Sequence, residues 1–141
     1  MLTNQDEIDR LTERVIGCAI EVHRTLGPGL LESIYRECML IELSEQGMTT
    51  EREITVPVDY KGRRLRTRLR FDVAINQCLI VEAKSVEAVR PVHKAQIITY
   101  LKLTGYPAGL LINFNETTLR AGLHRLNHPE RYARLKGDWK G

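Results

Sequence analysis

The residues of this 141-residue chain with the clearest chemical potential are Asp72, Glu82 and Lys84. Glu82 and Lys84 stand two apart in Cys78-Leu-Ile-Val-Glu-Ala-Lys84, so on a strand they share a face with Ile80, while Leu79, Val81 and Ala83 take the other. A lone Glu-x-Lys is most often an ion pair of small energetic value. Asp72 alters that balance, because it precedes Glu82 by ten residues, sits among Phe71, Val73 and Ile75, and is separated from it by a turn at Asn76-Gln77. Converging carboxylates suit a hard cation such as Mg²⁺ or Mn²⁺, which keeps several waters and binds substrate phosphate. Lys84 beside them is placed to orient or activate an attacking water and to offset charge on a phosphate oxygen, which is the chemistry of phosphodiester hydrolysis.

Whether the acids meet depends on strand register. A two-residue turn at Asn76-Gln77 pairs Asp72 with Val81 and leaves Glu82 on the far face. The site therefore requires an odd loop or a bulge. The expectation is a three-residue loop that sets Asp72 opposite Ile80 and collects Phe71, Val73, Ile75, Leu79, Val81 and Ala83 in the core.

The elements that must hold these residues follow from hydrophobic period. Asn4 with Glu7 three residues on caps a first helix, carried by Ile8, Leu11, Val15, Ala19, Val22 and Leu26 and broken by Gly27-Pro28-Gly29. A second helix is expected from Leu30 to Gln46, with Leu31, Ile34, Cys38 and Ile41 as its apolar side and Gly47 ending it. From Glu53 the period becomes two: a strand with Ile54, Val56 and Val58, a turn at Tyr60-Lys61-Gly62-Arg63, a long strand Arg63 to Ile75, and the Cys78–Lys84 strand. Pro91 opens a helix that Gly105 and Pro107 stop, and the buried strand Ala108 to Phe114 follows it, a crossover that favours parallel pairing. Leu119 to Leu126 reads as a strand or a short helix, with Gly122 weakening both. The fold class is thus α/β with a mixed sheet: two N-terminal helices, an antiparallel three-stranded meander, a crossover helix and a further strand. One domain, 1–126, is expected, followed by a polar tail, 127–141.

Arg64, Arg66, Arg68 and Arg70 alternate with Leu65, Thr67, Leu69 and Phe71 on the approach to Asp72. On a regular strand such arginines stand roughly 6.5 to 7 Å apart, close enough to contact neighbouring backbone phosphates. A charged strand that resists edge pairing explains the pattern equally well. Gln96 and Tyr100 share a helix face with His93, one turn earlier.

Asp72 with Glu82-Ala83-Lys84 resembles the acid and lysine motifs of the PD-(D/E)XK nuclease superfamily, with Arg70-Phe71 in place of a proline before the aspartate. Gly29-Leu30-Leu31-Glu32-Ser33-Ile34-Tyr35 resembles the signature of the bacterial GxxExxY family within that superfamily, and Gln96-Ile97-Ile98-Thr99-Tyr100 resembles the QxxxY motif of its exonuclease-like branches. The resemblance runs from about Ile8 to Leu126 and implies a restriction-endonuclease-like core. It further implies that Glu32 is a third acid, that Asp72 and Glu82 ligate Mg²⁺ or Mn²⁺ with Glu32 and the Ala83 carbonyl, and that Lys84 assists the nucleophile. Arg64, Arg66, Arg68, Arg70, His93, Gln96 and Tyr100 are then the expected substrate contacts. Read by itself, Glu32 is equally well explained as a carboxylate favoured in the first turn of a helix.

Bulk properties limit the alternatives. With 43% hydrophobic and 28% charged residues the chain is of globular type. No apolar run approaches the roughly 20 residues that span a bilayer, and the acidic N-terminus is unlike a signal peptide, so a cytoplasmic protein is expected. Cys18, Cys38 and Cys78 read as reduced core thiols. A net charge of +3 permits a nucleic-acid partner, DNA ahead of RNA, without demanding one, and homodimerisation is left open. The leading expectation is a metal-dependent nuclease. Its rivals are a non-catalytic nucleic-acid-binding or assembly module that keeps the fold, and a structural domain in which Glu82 merely pairs with Lys84 or an arginine.

Overall fold

A computed structural model describes residues 4–130. The first helix, α1 (Gln5–Leu26), starts as its cap predicts, with the Asn4 side chain accepting the Glu7 amide at 2.9 Å. Gly27 and Gly29 then turn the chain with φ of 71° and 95°, values that favour glycine, into α2 (Glu32–Glu45). The strands β1 (Thr50–Val56), β4 (Leu69–Ile75) and β5 (Leu79–Lys84) form a meander interrupted by the short hairpin β2 (Asp59–Tyr60) and β3 (Arg63–Arg64). Helix α3 (Pro91–Thr104) crosses over to β6 (Ala108–Asn113), and β7 (Leu123–Asn127) completes the sheet. The order is β1-β4-β5-β6-β7, with β5 and β6 parallel and the other pairs antiparallel. The expected crossover and mixed sheet are therefore present.

The sheet separates two cores. On one side α1 and α2 pack Val15, Ala19, Tyr35, Met39 and Leu43 onto Val73, Ile75, Val81, Leu110 and Ile112. On the other, α3 sets Ile97 and Leu101 against Ala74, Ile80 and Leu111. A Cβ on Gly109 would lie 2.7 Å from the Ile97 side chain, so this glycine lets α3 approach the sheet closely.

Two expectations about the elements need correction and a third is refined. The buried face of α2 is Tyr35, Met39 and Leu43, whereas Leu31 and Ile41 are 70% and 58% exposed. The helix carries two apolar stripes, and the buried one contains the aromatic ring that stacks on Phe114, 4.5 Å between centroids. The long strand from Arg63 does not form. Pro57 has no amide to donate, and the β1–β4 ladder stops at Val56↔Leu69, so residues 65–68 lie between strands. Finally, Leu119–Leu126 is both things at once: a 3-10 turn, Arg120–Gly122, leading into β7. A Cβ on Gly122 would fall 2.0 Å from the Asn113 carbonyl oxygen, which is why glycine stands in this otherwise periodic segment.

β7 extends to Asn127, and the His128 amide donates to the Pro107 carbonyl at 2.9 Å, so the docked chain reaches past residue 126. The rest of the expected tail, 131–141, lies outside the described residues. No helix among the described residues is long and apolar enough to cross a membrane.

Candidate active site

The β4–β5 hairpin has a three-residue turn, 76–78, with Asn76 and Gln77 at φ of 51° and 53°. Asn76 fixes it by exchanging two bonds with Thr49: its side chain accepts the Thr49 amide at 3.0 Å, and its amide donates to the Thr49 carbonyl at 2.8 Å. The loop is odd, as the site requires. Its register, however, pairs Ile75 with Leu79, Ala74 with Ile80 and Val73 with Val81, so the next position sets Asp72 opposite Glu82, not Ile80. Backbone pairing ends there. In place of a ladder bond, the Asp72 amide donates to Glu82 Oε1 at 2.9 Å.

The face alternation of β4 also breaks at Asp72. Val73 and Ile75 pack toward α1 and α2, but Phe71 packs toward α3, contrary to the expectation of one shared core face. The paired strand does the same. Ile54 joins the α3 side, Glu53 adopts φ of 49°, and the registered pairs on both sides keep one offset, so neither strand gains a residue. Both strands turn over together at Glu53 and Asp72, and the acid pair sits where regular pairing gives way.

Glu82 is 8% exposed. Burial, and next the Asp72 carboxylate, push its carboxyl up from 4.5 to about 7, against the opposing influences of the Asp72 amide, Lys84 and Arg36. Asp72 is half-buried and accepts an ion pair from Arg36 Nη1 on α2 at 3.1 Å. Glu32, one helical turn before Arg36, points elsewhere: its Oε2 accepts the Ser85 amide at 3.3 Å. Among the described residues no three Asp, Glu, His or Cys side chains stand together as a metal cage, so Asp72 and Glu82 are brought together and Glu32 is not. Glu32, Ser33, Arg36, Ser85, Leu30 and Leu31 instead line an open cavity of about 460 Å³, joined to the acid pair through Arg36.

Tyr35 positions this wall. Its hydroxyl donates to the Gly27 carbonyl at 2.6 Å and accepts the Leu30 amide at 3.1 Å, while its ring is fully buried. The spacing Gly29, Glu32, Tyr35 thus has a physical sense: glycine turns the chain, the acid occupies the first helical turn, and the tyrosine ties that turn to the end of α1. Asn113, fully buried at the end of β6, secures the other wall. Its side chain accepts the Val86 and Asn115 amides and donates to the Val86 carbonyl at 2.9 Å, fixing the chain as it leaves Lys84.

The remaining predicted residues divide. The Tyr100 hydroxyl donates to the Arg70 carbonyl at 3.2 Å, and its pKa is raised by burial and then by Glu82 and Asp72, which places it beside the acids. His93 is engaged in capping α3, its Nδ1 accepting the Arg90 amide at 3.0 Å. Gln96 is exposed on α3. The arginine stripe is dispersed: Arg64 is paired with Asp59 at 2.6 Å in the outer hairpin, Arg66 and Arg68 lie in the connection, and only Arg70 belongs to β4. Sequence reasoning missed Arg36 and Asn113. Arg36 follows Glu32 by four residues and reads as an ordinary helical ion pair, while Asn113 is the single amide at the end of an apolar run.

A model of the PD-(D/E)XK nuclease superfamily matches residues 9–126. The chain belongs to the PD-(D/E)XK nuclease superfamily. Among solved structures it is similar to one described as "Crystal structure of SSO0001", with 21% identity and a TM-score of 0.54, over 75% of this chain and 55% of that one. The chain thus spans about half the length of that structure, and the likeness is one of fold. No curated protein matches. PD-(D/E)XK nucleases generally use divalent metals and act on nucleic acid. The donor chemistry fits a hard cation: two adjacent carboxylates, one of them buried, with its pKa raised first by that burial and next by the charge of the other.

Proposed function

We propose that this member of the PD-(D/E)XK superfamily is a Mg²⁺- or Mn²⁺-dependent nuclease that hydrolyses phosphodiester bonds, with DNA as the expected substrate. The observation that supports it is the buried Glu82 facing Asp72 where β4 and β5 lose their pairing, with Lys84 two residues on. In this reading Asp72, Glu82 and the Ala83 carbonyl hold the ion, which when bound supplies positive charge to the phosphate oxygens. Lys84 orients the attacking water and stabilises negative charge as the phosphorus–oxygen bond to the leaving group breaks. Tyr100 positions the backbone of β4 through Arg70, and Arg66, Arg68 and Arg70 carry the nucleic-acid backbone as separate contacts.

The test is a Mn²⁺ titration of the wild type and Asp72→Ala, followed by cleavage assays on single-stranded DNA, duplex DNA and RNA. Ion binding that survives the substitution unchanged rejects the site. A second reading, a binding module that keeps the fold without turnover, is favoured by the engagement of Asp72 with Arg36 and of Glu32 with Ser85. Metal-responsive binding of all three substrates with no cleavage supports that alternative.

A further inference from the structure

Among the described residues Arg36 is the one cation in an ion pair with the acid cluster, and it lies on the boundary between two environments: its guanidinium reaches Asp72 at 3.1 Å, and the same side chain lines the cavity formed by Glu32, Ser33 and Ser85. It comes from α2, not from the sheet, so its long side chain can change partner without any strand moving. Asp72 and Glu82 repel each other, and Arg36 supplies part of the compensating charge. A divalent ion bound by the two carboxylates would supply more charge at shorter range and would compete with Arg36 for the Asp72 carboxylate. The released guanidinium then has a cavity beside it, and its planar fork is suited to a phosphate.

We propose that Arg36 is an exchangeable counter-ion, which neutralises Asp72 while the site is empty and is released on metal binding to hold a substrate phosphate in the adjoining cavity. The inference rests on the nuclease reading of the Asp72–Glu82 site. It makes nucleic-acid binding depend on metal through a side chain that need not itself touch the ion. Among the described residues no other arginine or lysine is ion-paired to Asp72 or Glu82, which makes Arg36 the group to perturb.

The experiment measures Mn²⁺ affinity calorimetrically for the wild type, Arg36→Met, Arg36→Gln, Arg70→Met and Glu82→Gln, in 0.15 M and 0.5 M KCl. Loss of direct competition should tighten Mn²⁺ binding about fivefold in both Arg36 variants, and the gain should persist in 0.5 M salt because this contact pair is partly buried and so screened less than an exposed one. Arg70→Met removes a charge without freeing an Asp72 oxygen, so any gain it gives should fade in high salt. A second readout is fluorescence anisotropy of a labelled single-stranded DNA in EDTA and in Ca²⁺. Arg36→Met should bind like the wild type in EDTA and several-fold more weakly in Ca²⁺. Mn²⁺ binding that is unchanged or weakened in the Arg36 variants, or DNA binding that falls equally with and without Ca²⁺, overturns the exchange. Wild-type Mn²⁺ binding that is indifferent to Glu82→Gln removes the nuclease site itself, whereas Glu82-dependent binding with no Arg36 effect removes only the exchange.

Discussion

In the metal-free protein, Glu82 should make stability fall as pH rises, and Glu82→Gln should abolish that dependence. The carboxyl moves from 4.5 to about 7 on folding, which at 1.36 kcal/mol per pH unit makes its ionised form about 3 kcal/mol costlier in the fold than in the unfolded chain. The sign follows from the protons bound. Below about pH 4.5 both states hold the proton and Glu82 imposes no penalty. Between 4.5 and about 7 the unfolded chain has released its proton and the folded chain has not, so stability declines with pH, and above about 7 the loss is complete. Glutamine is neutral throughout, and its Oε1 can still accept the Asp72 amide that Glu82 binds at 2.9 Å. Urea unfolding in EDTA at pH 5 to 8.5 should therefore show the two proteins separating with pH until the Gln variant is more stable by up to about 3 kcal/mol, roughly 8 °C in Tm for a domain of this size. Mn²⁺ at pH 8 should narrow the gap by stabilising only the wild type. Stability curves that stay parallel across this range would show that Glu82 is not held as an uncompensated buried acid.

Other expectations follow from single contacts. Tyr35→Phe keeps the ring stacked on Phe114 but removes the hydroxyl's two bonds to Gly27 and Leu30, so thermal or urea denaturation should register a loss of about 2 kcal/mol. Gly122→Ala forces a methyl toward the Asn113 carbonyl, a backbone atom that cannot swing aside, and should lower stability by about 1–3 kcal/mol in the same assay. Arg66→Ala and Arg68→Ala should each reduce the slope of log binding constant against log salt by about 1 if they contact phosphate, and leave the melting temperature nearly unchanged.

Much of the architecture was legible because local signals agreed with one another. The Asn4 cap, the Gly27–Gly29 break, the apolar β5 run and the Pro91 start of α3 each depend on a few neighbouring residues, and each appears where the pattern puts it. Choices between equivalent local solutions were not legible. Helix α2 offers two apolar stripes, and packing against residues far away in sequence, Phe114 among them, selects Tyr35 over Ile34 and Ile41. The arginines of 64–70 alternate faultlessly on paper, but Pro57 on another segment ends the ladder that would have kept them on one strand. Parity likewise located Asp72 near Glu82 without revealing that β1 and β4 would turn over together at that point. Arg36 escaped notice because the residue that gives it a role, Asp72, is joined to it only through the packing of α2 onto the sheet.

The bond between the Asp72 amide and Glu82 makes the polypeptide a reporter of its own electrostatics. An ordinary strand amide faces a peptide carbonyl whose charge never changes, but this one faces an oxygen that gains or loses a full charge. The amide resonance of Asp72 should therefore move with the protonation of Glu82, and again when a cation draws electron density from that carboxylate. A single backbone signal, observable without any label on a ligand, would register both the titration and the filling of the site.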